Sequence, residues 1–307
     1  MGRVVLAGGA GFIGQAVTAQ LLNQRHYDRI LVIGRSATPK YDLPSKAVDY
    51  LQGDVTSGEF LSGLLTPEDC VIDLCHSSVP KTSFDNPLDE VAKNIPASVN
   101  LMHHCATVGV RKYLLVSSGG TVYGNVSVGT IDEHVATNPI SPYGISKLVA
   151  EKFALFYHQN FGLKAVIVRP SNPYGKEQVG ARIQGFIGVA IFNLMTSAPV
   201  TVFGEAGTVR DYIFNEDLAS GIVDCLIHGS PAEVYNIGTG IGLSNLDVLE
   251  ALETVFQKRF VKINREAARP FDVNRNVLDA SKLRALAGWQ PKVDIYAGLE
   301  RLREGLK

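Results

Sequence analysis

Val4-Val5-Leu6-Ala7-Gly8-Gly9-Ala10-Gly11-Phe12-Ile13-Gly14 opens the chain. Its four apolar residues make a strand too apolar to face water on either side, and a helical pattern follows the glycines over Ile13–Asn23. Gly8, Gly11 and Gly14 stand three apart between strand and helix. That spacing allows a tight turn, close approach of a ligand to the backbone, and close packing of helix on strand. The helix start adds free N–H donors and a partial positive charge, a seat for a pyrophosphate. A merely flexible loop would not place its glycines so regularly between two such elements.

Apolar runs at Ile30–Ile33, Cys70–Leu74, Tyr113–Ser117 and Ala165–Arg169 continue the rhythm, with a second helical pattern over Leu148–Gln159. Apolar strands alternating with helices predict an α/β fold, a doubly wound parallel (Rossmann) sheet with ligands at the carboxyl ends of its strands. After about residue 170 the pattern loosens. Loops are expected around Asn172–Arg182, Pro199–Asp211 and Asn264–Asn276, and helices at Glu216–Ile227 and Asn245–Phe256. Residues 1–170 therefore read as a dinucleotide-binding domain, with returning segments near 209–240. Residues 171–307 read mostly as a smaller, discontinuous α/β substrate lobe.

Composition narrows the partners. The 307 residues are 46% hydrophobic and 19% charged with a net charge of −1, and basic residues are scattered. Neither a nucleic acid nor a membrane surface is expected as partner. Cys70, Cys75, Cys105 and Cys225 match no zinc spacing and His103-His104 belongs to no ligand pattern, so no metal is expected. Free thiols suit a reducing compartment. With no signal-like leader and no apolar run of membrane length, a cytoplasmic location is expected.

At the end of the second strand, where an acid often binds the ribose 2′-hydroxyl of NAD, stand Gly34, Arg35 and Ser36. A guanidinium and a hydroxyl suit a 2′-phosphate, which leans the reading of an NAD(P) site toward NADP. Alternatively Arg35 is solvated or stacks on adenine. Asp54, in Gly53-Asp54-Val55, can accept from the adenine amino group or cap its own loop.

Ser141-Pro142-Tyr143-Gly144-Ile145-Ser146-Lys147 carries the chemistry. Tyr143 and Lys147, four apart, share one face of a helix. Bringing a phenol from pKa ~10 to ~7 needs roughly 4 kcal/mol. A nearby ammonium together with a nicotinamide's positive charge can supply it, giving a general base.

Taken with Val116-Ser117-Ser118-Gly119-Gly120-Thr121-Val122-Tyr123-Gly124, Arg169-Pro170-Ser171-Asn172-Pro173-Tyr174-Gly175, Val209-Arg210-Asp211-Tyr212-Ile213, Tyr235-Asn236-Ile237-Gly238 and Asp279-Ala280-Ser281-Lys282 with Gly288-Trp289, the chain resembles the extended short-chain dehydrogenases/reductases. Within the NAD-dependent epimerase/dehydratase group it looks most like UDP-glucose/UDP-N-acetylglucosamine 4-epimerases, over essentially its whole length. The resemblance implies Tyr143 as base and Lys147 as its modulator and ribose ligand. It implies a cofactor lined by Gly8, Gly11, Phe12, Ile13, Gly14, Arg35, Ser36, Asp54 and Val55. A UDP-sugar would meet Asn172 near its diphosphate and be clamped by Arg210 and Arg269, unless these arginines form only surface ion pairs. Asn276, seven residues after Arg269, would border the pocket around the sugar's C2 substituent, or else cap a loop.

One departure stands out. The hydroxyl-bearing residue of such enzymes falls here on Gly119, so Ser118 or Thr121 would take its role, unless both hydroxyls bond only local backbone. The activity implied is inversion at C4 of a UDP-hexose through a 4-keto sugar, the hydride being held on the nicotinamide. Rivals are an NADPH-dependent 4-keto-sugar reductase and a non-catalytic NADP-binding regulatory protein. A 4,6-dehydratase is disfavoured, because Gly120-Thr121 stands where its acidic pair would be. A homodimer is expected through the helix carrying Tyr143 and the one before it, about Pro87–Val108.

Overall fold

Short β-branched runs separated by helices set the element order seen in the computed structural model, which describes residues 2–39, 41, 46–127, 129–176, 185–204 and 207–306. The strands are β1 (Arg3–Ala7), β2 (Arg29–Gly34), β3 (Val48–Gln52), β4 (Cys70–Asp73), β5 (Lys112–Val116), β6 (Ala165–Pro170), β7 (Asn172–Tyr174), β8 (Val200–Phe203), β9 (Val209–Phe214), β10 (Val234–Ile237), β11 (Gly242–Ser244), β12 (Ile263–Glu266) and β13 (Arg275–Asn276). The helices are α1 (Phe12–Gln24), α2 (Gly58–Leu61), α3 (Pro80–Asp85), α4 (Ile95–Val108), α5 (Gly119–Val122), α6 (Pro142–Phe161), α7 (Phe186–Thr196), α8 (Asn215–His228), α9 (Asn245–Phe256), α10 (Ser281–Ala287) and α11 (Ile295–Glu304). A π-helical stretch, Glu90–Asn94, runs directly into α4.

Seven parallel strands form the main sheet in the order β10-β6-β5-β4-β1-β2-β3. Side chains alternate between its faces, as the two-residue period of a strand requires. Val4, Leu6, Ile30, Val32 and Ile72 pack with Val17 and Leu21 of α1, Leu218 and Ile222 of α8, and Leu283 of α10. Val5, Ala7, Leu31, Ile33 and Val71 pack with Leu101 and Cys105 of α4 and with Ala150 and Ala154 of α6. Each fully buried Leu or Ile contributes about 1.5–3 kcal/mol relative to exposure, so this double covering is the main source of stability.

The strand order reverses at β1, which has β2 on one side and β4 on the other. The carboxyl ends of β1 and β4 therefore border the crevice where such sheets take ligands. A second core, of Tyr174, Ile191, Val202, Phe214, Leu249, Leu252 and Leu299, joins α7, α9 and α11 to short strands. There β11-β9-β13 form a small sheet, with β7 also paired to β9, and β12 pairs with β8.

The expected strands and helices of the first half are present, each within a residue or two of the expected bounds except α6, which extends well beyond Leu148–Gln159. Three expected loops are more ordered than their sequences indicate. Asn172–Tyr174 is β7, Pro199–Asp211 contains β8 and the start of β9, and Asn264–Asn276 contains most of β12 and all of β13. These strands are two to six residues long and partly polar, too short to display a period. Residues 177–182 and 205–206 of those loops lie outside the described residues. Among the described residues no helix is long and apolar enough to cross a membrane.

Candidate active site

The loop after β1 is shaped by what its glycines lack. Gly8 has φ +76° and donates its N–H to Ile33 O at 3.0 Å. A Cβ on Gly14 would fall 2.1 Å from Gly9 O, so the first turn of α1 lies directly on the loop. At Gly11, the N-cap of α1, a Cβ would meet nothing nearer than Gly8 O at 3.5 Å, and no side chain caps the helix. An open concavity with uncapped helix amides fits the pyrophosphate of a nicotinamide dinucleotide. Phe12 and Ile13, partly exposed, begin that helix. Beyond β2 the backbone is fixed from β3: Tyr50 donates to Ser36 O at 2.7 Å and Gln52 to Arg35 O at 3.2 Å, leaving the Arg35 side chain exposed. Asp54 Oδ1 accepts from the backbone and hydroxyl of Thr56 at 2.9 and 2.8 Å, the loop-capping arrangement. Buried Val55 holds its carbonyl toward Asn100 Nδ2 at 2.7 Å.

Tyr143 sits in the first turn of α6, a helix begun by local sequence. Ser141 Oγ accepts from Gly144 N at 3.1 Å, Pro142 supplies a helical φ, and Gly162 closes the far end at φ +71°. The Tyr143 N–H donates to Ser83 Oγ at 3.1 Å. Lys147, one turn on, donates Nζ to Val116 O at 2.9 Å and stands 5.9 Å from the centre of the Tyr143 ring. Burial lowers the Lys147 pKa. Burial likewise pushes the Tyr143 phenol up to about 12, opposed by a hydrogen bond with Ser118 and reinforced by the charge of Glu90. The phenol is thus protonated until a further positive charge reaches it.

Of the two hydroxyls expected to stand in for Gly119, the structure brings Ser118 to Tyr143. Thr121 instead leans toward Ser118 O at 3.5 Å, a local backbone contact. Gly119 itself has no room for a side chain: a Cβ would lie 2.6 Å from Leu278 Cδ1 and 2.9 Å from Arg169 O. Gly120 lies against the Asn172 carboxamide, 3.5 Å from where its Cβ would be, and Asn172 Nδ2 reaches Asp211 O at 3.5 Å. Ser118, Asn172 and the strand carrying Arg210 therefore surround one short glycine turn.

Arg210 makes no ion pair with its neighbour Asp211. Side chains alternate along β9, and buried Asp211 accepts instead from Thr239, Gly240 and Leu278. Burial lowers the Arg210 pKa, and the positive charge of Arg269 adds to the effect, so the two cations share one electrostatic neighbourhood. Arg269 donates Nε to Asp272 Oδ2 at 2.7 Å and stacks 4.2 Å over the Phe203 ring. Asn276, expected at the pocket around the sugar's C2 substituent or as a loop cap, lies within the small sheet. It pairs with Arg210 in the small sheet, is fully buried, and donates Nδ2 to Gly119 O at 2.8 Å, so it holds the glycine turn from behind.

A cluster that sequence reasoning missed lies beside Tyr143. The His76 ring meets the Tyr143 ring edge-on, with centres 4.7 Å apart and planes at 81°. His76 Nε2 stands 3.2 Å from Glu90 Oε2, close but not aligned as a full hydrogen bond. Glu90, 3% exposed, also accepts from Ser78, from Asn94 Nδ2 at 3.0 Å and from Ser146 Oγ at 2.6 Å. Burial alone would raise the Glu90 pKa, but the close approach of His76 and the hydrogen bonds from Ser146 and Ser78 bring it down to about 2. Burial, with the charge of Lys147, lowers His76 to about 4. The available signal was position: His76 follows a central strand at the carboxyl edge of the sheet.

Comparison with known proteins agrees with this fold. The model of the NAD dependent epimerase/dehydratase family matches residues 4–238. A UDP-glucose 4-epimerase of Azospirillum brasilense is 32% identical, over 97% of this chain and 90% of that one. A dTDP-4-dehydro-6-deoxyglucose reductase of Escherichia coli is 28% identical, over 99% and 97%. Among solved structures, the UDP-glucose 4-epimerase of Thermus thermophilus in complex with NAD superposes with a TM-score of 0.86 at 30% identity, covering 98% of this chain and 99% of that one.

Proposed function

The chain belongs to the NAD dependent epimerase/dehydratase family, and from its site we propose that it inverts C4 of a UDP-hexose through a transient 4-keto sugar. The observation that carries this reading is the arrangement around Gly119–Gly120: the Tyr143 phenol with Ser118 near enough to ease its pKa on one side, and Asn172 with the Arg210 strand on the other. The first can exchange a proton with a sugar hydroxyl, while Arg210 and Arg269 suit a diphosphate through fixed guanidinium forks.

Gly8, Gly11, Phe12, Ile13, Gly14 and Lys147 would hold a nicotinamide dinucleotide, which would supply reversible hydride storage. Tyr143 takes the proton of the sugar O4, stabilised as phenolate by Lys147, and returns it after the sugar has turned. Ser118 holds the phenol and the reacting oxygen in register. Because the proton comes back to the same oxygen and the stored hydride to C4, the cycle consumes no acid and no external reductant.

Exposed Arg35 at the end of β2, flanked in the chain by Gly34 and Ser36 rather than by a carboxylate, favours a second reading, an NADPH-dependent 4-keto-sugar reductase. Exposed apolar side chains on α6 (Ile145, Phe156, Phe161), together with Val91 just before α4, support a homodimer through this face. One experiment separates the readings. Purified protein should interconvert UDP-glucose and UDP-galactose without added reductant, while Tyr143→Phe binds UDP-glucose by calorimetry and turns none over. Strict dependence on added NADPH would favour the reductase, and normal turnover by Tyr143→Phe would remove Tyr143 as base.

A further inference from the structure

We propose that His76 is a positioning residue for the reacting phenol: its imidazole, set against the Glu90 carboxylate, braces the Tyr143 ring in the orientation that proton transfer needs. The inference rests on Tyr143 being the base. Three observations carry it.

First, the phenol is short of supports. Gly119 offers no hydroxyl, Thr121 is turned to its own backbone, and the Lys147 ammonium is 5.9 Å from the ring centre. Ser118 acts on the oxygen alone, whereas a ring also needs its plane fixed. The edge of His76, 4.7 Å away at 81°, lies within the roughly 4.5–7 Å of favourable T-shaped pairs and restricts that rotation.

Second, the brace is itself braced. His76 is on the loop after β4, Glu90 on the π-helical stretch, and Tyr143 and Ser146 on α6. Ser146 Oγ donates to Glu90 Oε2 at 2.6 Å and also lies 2.9 Å from Tyr143 O. The chain of contacts Tyr143–His76–Glu90–Ser146 thus returns to the helix from which it started.

Third, packing does not account for the choice of residues. The His76 and Glu90 side chains are 11% and 3% exposed, and a buried acid–imidazole pair carries a desolvation penalty that apolar side chains of similar volume avoid. The other charged groups that face His76, Lys147 and Asp73, belong to the same crevice. Burial and the charge of Lys147 keep the imidazole neutral at pH 7, so it adds no cation to compete with Lys147.

The test compares His76→Ala and His76→Phe in the full chain. Removing the ring should lower kcat for UDP-glucose/UDP-galactose interconversion on the order of 10²-fold, as expected for a misplaced reacting group. KM should stay within about twofold of wild type. His76→Phe, which keeps the ring edge, should recover most of that loss. Independently of any substrate, ultraviolet difference titration against Tyr143→Phe in each background reads the phenol directly. In His76→Ala water reaches it, and it should titrate at clearly lower pH.

Wild-type kcat in His76→Ala overturns the proposal. So does equal impairment of His76→Phe and His76→Ala, or loss of kcat and KM in parallel with thermal stability. If the protein proves inactive on UDP-hexoses, the titration alone decides, and an unmoved Tyr143 signal in His76→Ala overturns the brace. Should His76→Ala fail to fold, His76→Gln, which can still reach Glu90 but has no ring, takes its place with the same expected loss.

Discussion

The loops after β1 and β4 stand side by side across the point where the strand order reverses, and they are built in opposite ways. The β1 loop is almost all backbone, closed by hydrogen bonds donated by the Gly8, Gly9 and Gly11 N–H groups to Ile33 O, Leu6 O and Gly8 O. The β4 loop is tied down by side chains. Ser77 bonds Asn94, Ser78 bonds Glu90, and His76 lies between Glu90 and Tyr143. A surface that must admit a large anion works by vacancy, and any added atom obstructs it. A surface that must hold a reacting group works by occupancy, and depends on which atoms are present.

The largest effect should come from filling the vacancy. With its Cβ 2.1 Å from Gly9 O, Gly14→Ala must push α1 away from the loop. We expect loss of detectable NAD(H) binding by calorimetry and a destabilisation of roughly 1–3 kcal/mol in urea unfolding. Normal cofactor affinity in this variant would break the contrast at its first half.

The second half is sharpened by Ser118 and Thr121. Ser118→Ala should lower kcat by roughly 10²-fold or more, as for other proton-transfer partners, while Thr121→Ala, whose hydroxyl bonds only Ser118 O, stays near wild type. Gly119→Ser should not rescue Ser118→Ala, because Leu278 and Arg169 O occupy the space a side chain needs. Steady-state kinetics on the four proteins tests this. Equal effects of Ser118→Ala and Thr121→Ala would mean that occupancy is not residue-specific.

The smallest effect is on acid stability. An unfolded imidazole takes its proton near pH 6.5, but His76 resists protonation down to about pH 4. In that window the unfolded chain binds more protons, so the stability present above pH 6.5 is lost as pH falls through 4. Glu90, held at about 2, extends the loss below the usual carboxylate range. Melting temperature should fall by on the order of a few degrees between neutral pH and pH 4. That slope should be shallower in His76→Phe, and an identical slope in both proteins would show that His76 is not the group titrating.

This contrast also explains what the sequence could show. Gly8, Gly11 and Gly14 are adjacent in the chain, and Tyr143 and Lys147 are one turn apart, so local spacing reveals the geometry they form. His76, Glu90 and Ser146 are spread over three elements, and nothing local marks a glutamate on a helix as the partner of a distant imidazole. The surroundings of Asn276 were hidden for a related reason. Its distance from Arg269 along the chain is plain, but only the pairing of β13 with β9 decides that its carboxamide turns inward to Gly119. The small sheet of β7, β9, β11 and β13 escaped because two to six residues are too few to display a period, even where the pairing is regular.

The π-helical stretch Glu90–Asn94 holds one residue more than an α-helical path would need, with Ile95 N bonding back to Glu90 O. At about 3.6 residues per turn, removing one residue there would rotate everything before it by about 100° relative to α4. Glu90 would swing away from Ser146 and His76 while Leu101 and Cys105 kept their places against the sheet. The bracket around the phenol is therefore encoded in chain length as much as in side-chain identity. A single-codon deletion at Val91, Ala92 or Lys93, which touches no residue of the bracket, would dismantle it.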